Sequence, residues 1–584
     1  MKNMGEEAIA KIEGKPLPVW HRFGSFPGAL LCCPGRGWKF KGLVLSRLKS
    51  MKTRYWLPLG ALLILGLLFL AILPPTEPST PAGGDRVLRI AIPEDVETVD
   101  PAFSHFQLSN EANYNINDQF FRYGYDNSPE GYRVYDSRKV EGCAVESWRI
   151  SEEAKTMVLK LRRDARFAKT GDPVTADDFI YWFDRAKGLK AGTWFNVQLA
   201  DIESWTKTGY DEVTLRFRRR NPFFFSLFRD QSQSPMEKKI LEEHRDRDDP
   251  WSTTWAARND AGSGAFFIEE WVPGVKLVLR ANPHHWGAPP YLERVILNIV
   301  PSSAGRALLL QNRAVDIAER LSIVEIENLQ KIAGIRIISV PTRNQYLLGL
   351  NNGIAPFSHR LVRQALSYAV PYETIVKDVF GGRALKSRSP IPVKGQFHDG
   401  TFWPYTTDLG KARALLAQAG YPKGFRFTLA FAAGDPMTLE LAVLLQSSFR
   451  QIGVSMDLDT ETAAVFAERL DKRSHQAWLR DYIFYVDDPG YMGVLFYESS
   501  APQNWMVYRN PEVDRLFEQI NALWRPEDQK QKAESCREVQ KLIIADAPVL
   551  FLAEANFNLA ARDNIEGYVQ QPDNLLWYAP LKRK

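Results

Sequence analysis

The sequence predicts an α/β protein built from more than one lobe. The chain has 584 residues, and a chain of this length divides because a single hydrophobic core stops growing at about 250–300 residues. Segments with the periodicities of strands and helices alternate through the second half, which is typical of αβ lobes. With 45% hydrophobic and 24% charged residues, the composition is that of an ordinary globular protein.

Short strands dominate the first half of the chain beyond residue 85. Apolar residues alternate in Val87–Pro93, as in a half-buried strand. A helix is predicted over Ala176–Ala186, because Thr175 precedes it and acidic residues occupy its first turn. Asn115–Tyr123 is predicted to be helical or mixed. The other predicted strands are Ser147–Ile150, Thr156–Leu161 and Glu212–Phe217.

Helices with a clear apolar face alternate with strands in the second half. The predicted helix Leu409–Ala419 ends at Gly420, a glycine just past the last turn, and Pro422 follows two residues later. In the predicted helix Leu361–Ala369, Arg363 is expected to lie on the polar side. The predicted helices are Leu361–Ala369, Leu409–Ala419, Met437–Gln451, Pro511–Leu523 and Gln529–Asp546.

An apolar segment near the N-terminus predicts export or membrane anchoring. Trp56–Leu73 holds 18 residues without a charge, which just reaches the length that spans a bilayer as a helix. Lys49, Lys52 and Arg54 precede it, and no Lys or Arg follows before Arg86. The positive-inside rule therefore predicts that the rest of the chain lies outside the cytoplasm.

The segments around this apolar run differ in composition. Residues 51–74 are predicted to be a signal peptide or an uncleaved anchor, and the anchor is favoured because no A-x-A cleavage site is evident. Residues 75–85 are rich in Pro, Ser, Thr and Gly and are predicted to be a linker. Residues 1–50 are either a cytoplasmic tail or sequence upstream of a true start at Met51, and the second is favoured.

Charge and cysteine content exclude several classes of protein. Residues 1–54 hold eleven Lys and Arg against three Glu, and thus account for the formal net charge of +5. The rest of the chain has no excess of positive charge, and therefore no electrostatic field that would attract nucleic acid. No CxxC spacing suggests zinc or a redox motif. Cys143 and Cys536 could pair in an oxidising compartment, but two free buried thiols are favoured.

The body of the chain, residues 86–584, carries seven motifs in a fixed order. They are GSGAFFIEEWVPG (Gly262–Gly274), LRANPHHWG (Leu279–Gly287), NRAVDIA (Asn312–Ala318), YLLGLN (Tyr346–Asn351), APFSHRLVRQALSYAV (Ala355–Val370), KARALLAQAGYPKGF (Lys411–Phe425) and NPEVDRL (Asn510–Leu516). In order and spacing they resemble the family 5 extracellular solute-binding proteins, the oligopeptide- and dipeptide-binding receptors of ABC importers. The resemblance covers almost the whole body.

This resemblance implies a two-lobed periplasmic-binding-protein-like fold of type II, with an extra inserted domain, a hinge and a ligand cleft. Lobe I would comprise residues 86–118, 251–343 and 557–584. The inserted domain would be 119–250 and lobe II 344–556. Closure of the lobes about the hinge would trap the ligand.

The stretch RDYIFYVDDPGY (Arg480–Tyr491) is the leading candidate for a ligand contact. By resemblance, an Asp in this region binds the free amine of a peptide. Alignment on Trp478 assigns that role to Asp481, whereas alignment on the Asp-Pro pair assigns the position to Tyr485. Asp487 and Asp488 are further candidates, but more naturally cap a turn before Pro489. Ligand contact is favoured over a structural strand and turn, and both over metal binding or catalysis.

The resemblance also assigns residues of other loops to the cleft. These are His105, Phe106 and Gln107 from lobe I, and Trp403, Asn504 and Trp505 from lobe II. Each could equally be a packing residue. No phosphate-binding loop, HExxH or GxSxG motif occurs, so neither a cofactor, a metal nor an enzymatic reaction is expected.

The sequence thus predicts a monomeric receptor that captures a peptide or peptide-like solute and delivers it to an ABC permease. It would be periplasmic or extracellular, either tethered through residues 56–73 or released after cleavage. The alternatives are a membrane-anchored sensory or peptide-chaperone module, and a receptor for a nickel chelate, an opine or a sugar derivative.

Overall fold

The structure, a computed structural model, describes residues 86–104, 106–151, 153–523 and 526–584. The predicted leader, anchor and linker (residues 1–85) and His105 lie outside these residues. The strands are β1 (Val87–Ile92), β2 (Phe121–Asn127), β3 (Arg133–Gly142), β4 (Val145–Ile150), β5 (Thr156–Leu161), β6 (Ile202–Gly209), β7 (Glu212–Phe217), β8 (Phe266–Val272), β9 (Lys276–Ala281), β10 (Arg294–Ile299), β11 (Ile317–Ala318), β12 (Ile335–Leu350), β13 (Ala384–Leu385), β14 (Arg426–Ala432), β15 (Ser455–Glu461), β16 (Ala477–Ile483), β17 (Val549–Arg562), β18 (Ile565–Glu566), β19 (Val569–Gln570) and β20 (Lys582–Arg583).

Helices separate many of these strands, as expected for an α/β protein. They are α1 (Gln107–Ile116), α2 (Ala176–Leu189), α3 (Gly192–Leu199), α4 (Phe224–Phe228), α5 (Lys238–Glu243), α6 (Thr253–Ala256), α7 (Ser303–Gln311), α8 (Ile323–Leu329), α9 (Arg360–Ala369), α10 (Tyr372–Thr374), α11 (Leu409–Gln418), α12 (Pro436–Arg450), α13 (Ala463–Asp471), α14 (Pro489–Met492), α15 (Pro511–Ala522) and α16 (Gln529–Asp546). Short 3₁₀ turns at Pro101–Phe103 and Pro526–Asp528 and π turns at Ile375–Val379 and Gly493–Tyr497 complete the elements.

One long sheet runs through both lobes. Among the described residues it has the order β15-β14-β16-β12-β17-β11-β1-β10-β9-β8, with β13 also paired to β17. We call the half with β1 and β8–β11 lobe I and the half with β14–β16 lobe II. Within the part of the chain that the structure describes, only β12 and β17 belong to both halves. β12 pairs with β17 over most of its length and with β16 in lobe II, and β17 also pairs with β11 in lobe I.

The β12–β17 ladder is interrupted where the chain passes from one lobe to the other. Pro341 pairs with Asn556, but the next pair is Asn344 with Ala555, so Thr342 and Arg343 form a bulge. Thr342 Oγ1 accepts a hydrogen bond from Asn344 N at 3.1 Å and donates one to the carbonyl oxygen of Ala555 at 2.8 Å. A bulge bends its strand and redirects side chains, and this one turns Arg343 out of the ladder.

Lobe I is closed by the last residues of the chain. Arg583 Nη2 donates to the carbonyl oxygen of Val87 at 2.8 Å and to Asp316 Oδ2 at 2.6 Å. The segment between β19 and β20 packs on α1, where Asn115 Nδ2 donates to the carbonyl oxygen of Leu576 at 2.8 Å. The first and last residues of the body therefore share one core.

Gly264 is required by the close approach of its loop to the end of α1. Its amide donates to the carbonyl oxygen of Ile116 at 3.0 Å. A Cβ atom at this position would lie 2.4 Å from the carbonyl carbon of Ile116 and 2.5 Å from the amide nitrogen of Asn117. Lack of space for a side chain therefore requires glycine at this position.

The segment predicted to be an inserted domain carries its own four-stranded sheet, in the order β4-β5-β7-β6. Helix α2 packs on it and begins with a capping box between Thr175 and Asp178. The hairpin β2–β3 forms a separate sheet with β19. The domain boundaries proposed from the sequence stay predictions.

Most predicted elements agree with the structure within a few residues. Asn115–Tyr123, predicted to be helical or mixed, is mixed, since α1 ends at Ile116 and β2 begins at Phe121. Arg363 does not lie on a polar, solvent-facing side of α9, because the residue is only 6% exposed. Its guanidinium donates to the carbonyl oxygens of Phe357 at 2.7 Å and Asp546 at 2.8 Å, and burial lowers its pKa to about 10.

Cys143 and Cys536 are free and buried. Burial raises the pKa of the Cys536 thiol to about 12. None of the helices in the part of the chain that the structure describes is long and apolar enough to cross a bilayer.

Candidate ligand-binding cleft

A cavity of about 670 Å³ lies beside the strands that cross between the lobes. Its walls come from the β2–β3 hairpin (126–138), the middle of β12 (340–343), the loop 394–396 with Asp487, and the segment 570–574. Both lobes thus contribute to its lining. This volume is within the range of small-molecule sites in proteins, roughly 300–1,000 Å³.

Arg343 projects from the β12 bulge between the lobes and is only 2% exposed. Its Nη1 lies 2.7 Å from Asp487 Oδ1, and its Nη2 donates to the carbonyl oxygen of Tyr485 at 3.3 Å. The guanidinium also lies over the ring of Tyr135, 5.3 Å from its centroid. Neither Nε nor Nη1 has a partner with hydrogen-bond alignment, although Nη1 is within ion-pair distance of Asp487.

Arg229 follows α4 and is the second buried arginine between the lobes, also 2% exposed. Its Nη2 donates to Asp573 Oδ2 at 2.9 Å, while Nε has no hydrogen-bond partner. The guanidinium lies over two rings, 5.4 Å from the centroid of Tyr123 and 5.9 Å from that of Tyr485. Cation–π attraction of this kind is strengthened where water is excluded.

Aromatic rings connect the two arginines. Tyr123 and Tyr135 are stacked with centroids 5.9 Å apart. We call the group Tyr123, Tyr135, Arg229, Arg343, Tyr485, Asp487 and Asp573 the interlobe seam. Burial raises the pKa of the Tyr123 and Tyr135 hydroxyls, so both remain neutral donors at physiological pH.

The lobes are in contact across this seam. Phe223 lies edge-on to Tyr491, with ring centroids 6.0 Å apart. Ser137 Oγ in the β2–β3 hairpin donates to Asp487 Oδ2 at 2.7 Å. The conformation is therefore one in which the walls of the cleft touch.

The two adjacent carboxylates predicted to contact ligand are occupied by protein groups. Asp487 accepts from Ser137 and from the amide of Gln396 at 3.0 Å, and lies beside Arg343. Asp488 caps α14 by accepting from Gly490 N at 2.9 Å, and pairs with Lys532 Nζ at 2.7 Å. Of the two, only Asp487 lines the cavity.

Asp481 points to the other face of β16. In the antiparallel pair it lies opposite Tyr346, and it accepts from Asn344 Nδ2 at 3.1 Å. Ala477, Leu479 and Tyr346 on this face belong to the core of lobe II, whereas Trp478 on the other face packs with residues of the seam side. The structure therefore does not bring Asp481 to the cavity or to Tyr485.

The other predicted residues are dispersed. Tyr485 lies in the seam, where burial raises its pKa. Phe106 is 46% exposed at the start of α1, and Gln107 Nε2 donates to the carbonyl oxygen of Asn574 at 3.1 Å. Since Asn574 lines the cavity, Gln107 supports that wall.

Trp403, Asn504 and Trp505 pack inside lobe II. Trp403 lies edge-on to Tyr405, with centroids 4.9 Å apart. Asn504 Nδ2 donates to the carbonyl oxygen of Tyr508 at 2.7 Å, and Trp505 Nε1 donates to Asp471 Oδ1 at 3.1 Å. None of the three is among the described residues that line the cavity, so a role in binding stays a prediction.

Arg229, Arg343 and Asp573 were not predicted from the sequence. Arg343 could have been noticed, because it is a charged residue inside a long strand-like segment. Arg229 and Asp573 give no local signal, since they meet only through the fold.

The groups gathered between the lobes are of kinds that bind ligands. Within the described ranges, no group of three or more His, Cys, Asp or Glu side chains could hold a metal ion. What the seam provides is guanidinium donors, aromatic faces and a cavity shared by both lobes.

Residues 139–504 match the model of the middle region of bacterial extracellular solute-binding proteins, family 5. The chain belongs to this family. The solute-binding protein is 29% identical over 487 residues to the probable D,D-dipeptide-binding periplasmic protein DdpA of Escherichia coli K12, a match that covers 82% of this chain and 90% of the relative.

Solved structures share the fold of this solute-binding protein. The periplasmic binding protein DppA of Helicobacter pylori, in complex with the peptide STSA, has a TM-score of 0.74 at 23% identity, covering 85% of this chain and 98% of that one. MoaA of A. tumefaciens R10, in complex with mannopinic acid, has a TM-score of 0.74 at 22% identity, covering 86% and 100%. The fold is thus the two-lobed one with a ligand cleft that the sequence predicted.

Proposed function

We propose that this solute-binding protein captures a peptide or peptide-like solute between its lobes and delivers it to the permease of an ABC importer. The observation that carries the proposal is the cavity of about 670 Å³, whose walls come from both lobes beside the crossing strands. A site built this way opens and closes as the lobes rotate about those strands. The names of the relatives DdpA and DppA support a peptide as the solute.

The protein acts by binding alone in this proposal. The seam holds its polar groups in ion pairs and hydrogen bonds, as for Arg229 with Asp573, instead of presenting an activated nucleophile beside a base. Incubation of the purified protein with a mixture of peptides is expected to leave all of them intact by mass spectrometry. Time-dependent cleavage would overturn this part of the proposal.

The N-terminal segment completes the proposal. Residues 56–73 would tether the protein to the cytoplasmic membrane, or would be removed with a signal peptide, so that the body works as a monomer in the periplasm or outside the cell. The periplasmic location named for DdpA supports this placement.

The solute is identified by mass spectrometry of small molecules released on denaturing the purified protein. We expect peptides or peptide-like molecules near one per protein, and none from an unrelated protein purified in parallel. If a different solute is released, the proposal that the solute is a peptide is wrong. MoaA with mannopinic acid shows that the fold accommodates another kind of ligand. A nickel chelate or a sugar derivative would be recognised in the same measurement.

A further inference from the structure

A buried carboxyl group stands behind the lobe II wall of the cavity. Glu554 on β17 is only 1% exposed and pairs in register with Gln345 on β12, the second pair beyond the bulge where these strands enter lobe II. Among the residues that the structure describes, hydrogen-bond partners surround it and no cation pairs with it. A carboxyl buried without a cation is tolerated only when it is hydrogen-bonded, so its bonds indicate its role.

Glu554 accepts three hydrogen bonds, and one of them comes from the backbone of the cavity wall. Gln345 Nε2 donates to Oε1 at 3.1 Å and Ser387 Oγ donates to the same oxygen at 3.2 Å. The amide of Val393 donates to Oε2 at 2.8 Å. The residues that follow Val393 directly, 394–396, line the cavity. Glu554 therefore fixes the chain one residue before it becomes the wall.

The far end of this short wall is fixed to other elements. Gln396 N donates to Asp487 Oδ1 at 3.0 Å, and Gln396 Nε2 donates to the carbonyl oxygen of Asp487 at 2.9 Å. Gln540 Nε2 on α16 donates to the carbonyl oxygen of Phe397 at 2.9 Å. The wall is thus a strap held at both ends, and the bond to Glu554 is its attachment to the strands that cross between the lobes.

A buried polar network joins this attachment to the rest of lobe II. Gln345 Nε2 also donates to the carbonyl oxygen of Ser389 at 3.0 Å, and Ser389 Oγ donates to Gln540 Oε1 at 2.6 Å. Gln345, Ser389 and Gln540 are each 0% exposed. Hydrogen bonds that water cannot replace hold one arrangement of their partners. A rotation of the crossing strands is therefore passed to the wall of the cavity.

We infer that Glu554 is a positioning residue for the solute, because through the amide of Val393 it holds the wall 394–396 in the place that gives the cavity its shape. Glu554 itself is not among the described residues that line the cavity, so it acts through the wall and does not touch the solute. The inference rests on the proposed function, since it assigns a role in the same cleft.

Two substitutions of similar size test the role of this hydrogen bond in the full-length protein. Glu554→Gln keeps an oxygen that accepts from Val393 N, whereas Glu554→Leu accepts nothing. The probe is an enzymatic casein hydrolysate, and peptides retained in equilibrium dialysis are quantified by mass spectrometry. The measurement is made at pH 8.5, where the carboxyl is ionised, because burial raises the pKa of Glu554 to about 7.

Binding is expected to follow the hydrogen bond. Glu554→Leu should raise the half-maximal concentration about tenfold or more, the factor that corresponds to one hydrogen bond to a charged group. Glu554→Gln should restore binding to within about threefold of the unaltered protein. If Glu554→Gln binds as weakly as Glu554→Leu, the hydrogen bond to Val393 is not the cause and the inference is wrong.

Glu461→Leu is the matched control for a general loss of stability. Glu461 is another buried glutamate of lobe II, where it pairs with Arg469 and His475, and it does not line the cavity. The variant should unfold at a lower temperature, yet its folded form should bind the hydrolysate like the unaltered protein. A loss of affinity equal to that of Glu554→Leu would show that destabilisation alone is responsible, and would overturn the inference.

A shorter side chain keeps the test decisive if Glu554→Leu does not fold. Glu554→Asp retains the charge but lacks one methylene group, so it leaves Val393 N without its acceptor and should raise the half-maximal concentration about threefold or more. Unchanged binding by the folded variants Glu554→Leu or Glu554→Asp would overturn the inference and leave a peptide receptor. If the unaltered protein retains no peptide, the proposed function is overturned, and the inference with it.

Discussion

Two buried glutamates in lobe I are neighbours. Glu111 on α1 is 2% exposed and Glu319, directly after β11, is 4% exposed. Glu111 accepts from Leu576 N at 3.0 Å and from the Tyr578 hydroxyl, while Glu319 Oε1 has no partner. Burial raises the pKa of both carboxyls, and for Glu319 the charge of Glu111 raises it further. One proton shared between them is the favoured state.

This pair makes stability depend on pH with a definite sign. A carboxyl whose pKa is raised by folding binds more protons when folded, so the free energy of unfolding falls as pH rises above 4.5, the ordinary pKa. In Glu319→Gln, the side-chain amide places an N–H where the shared proton lies. The variant therefore does not lose free energy of unfolding as the pH rises. We expect the variant to gain on the unaltered protein as pH rises from 5 to 9, by about 1.4 kcal/mol for each unit by which the pKa is raised.

Chemical unfolding at a series of pH values measures the difference. Glu327→Gln on α8 is measured in parallel as the control, because Glu327 is exposed. A constant difference for Glu319→Gln across the range would show that the pair does not share a proton.

Residue-level predictions from sequence succeeded where the cause is local. Thr175 begins α2 with its own side chain and the carboxylate three residues later, and both are visible in the sequence. Asp481 shows the opposite case. Trp478 and Asp481 differ by an odd number, so within a strand they lie on opposite faces. The motif spacing favoured Asp481, but the alternation of the strand turns it away from the seam.

At the scale of elements, the hinge depends on one hydroxyl. Thr342 is 6% exposed in the β12 bulge, and its hydroxyl satisfies both Asn344 N and the carbonyl oxygen of Ala555. Those are backbone groups that the interrupted ladder leaves without their usual partners. A buried backbone group must find another partner or pay a cost in free energy.

Thr342→Val keeps the shape of the side chain and removes the hydroxyl. We expect the free energy of unfolding to fall by about 1–3 kcal/mol, the cost of leaving buried polar groups unpaired. Chemical unfolding of purified protein measures the loss. Thr206→Val in β6 is the matched control, since Thr206 is exposed in a strand and its change should be close to zero. Equal values for the two variants would contradict a structural role for the bulge hydroxyl.

The helices and strands were predictable because neighbouring residues specify them. The interlobe seam was not predictable, because residues far apart in the sequence form it. Helices such as α15, capped by Asn510 and carrying Pro511 at its start, are specified by neighbouring residues. The bulge at Thr342 and Arg343 arises from pairing with β17, more than 200 residues further along the chain. No local pattern fixes such a pairing, and Arg229 meets Asp573 by the same kind of long-range contact.

At the scale of the whole molecule, the described residues from Arg86 to Lys584 form one compact unit. Contacts such as Phe223 with Tyr491 hold the walls of the cleft together. If the lobes part to admit a ligand, these contacts and the ion pairs beside them must separate.

A fragment of residues 83–584 is expected to be a soluble monomer that becomes more compact with ligand. Small-angle scattering should give a radius of gyration of about 23 Å for the loaded fragment, the value for a compact body of about 500 residues. The fragment stripped of ligand should give a larger value, because its lobes are free to open. The same radius with and without ligand would contradict the closure mechanism, and a dimer mass would contradict the monomer.

The contact between the first and last residues of the body also sets an order of events during synthesis. The sheet β4–β7 is nearly continuous in sequence and can fold while the chain is still growing. Lobe I cannot, because Arg583 binds the carbonyl oxygen of Val87 and α1 holds Leu576. Its core is completed only after the ribosome has added residues 576–583. Until then β1 lacks its contact with Arg583, so a growing chain holds a folded sheet β4–β7 beside an incomplete lobe I.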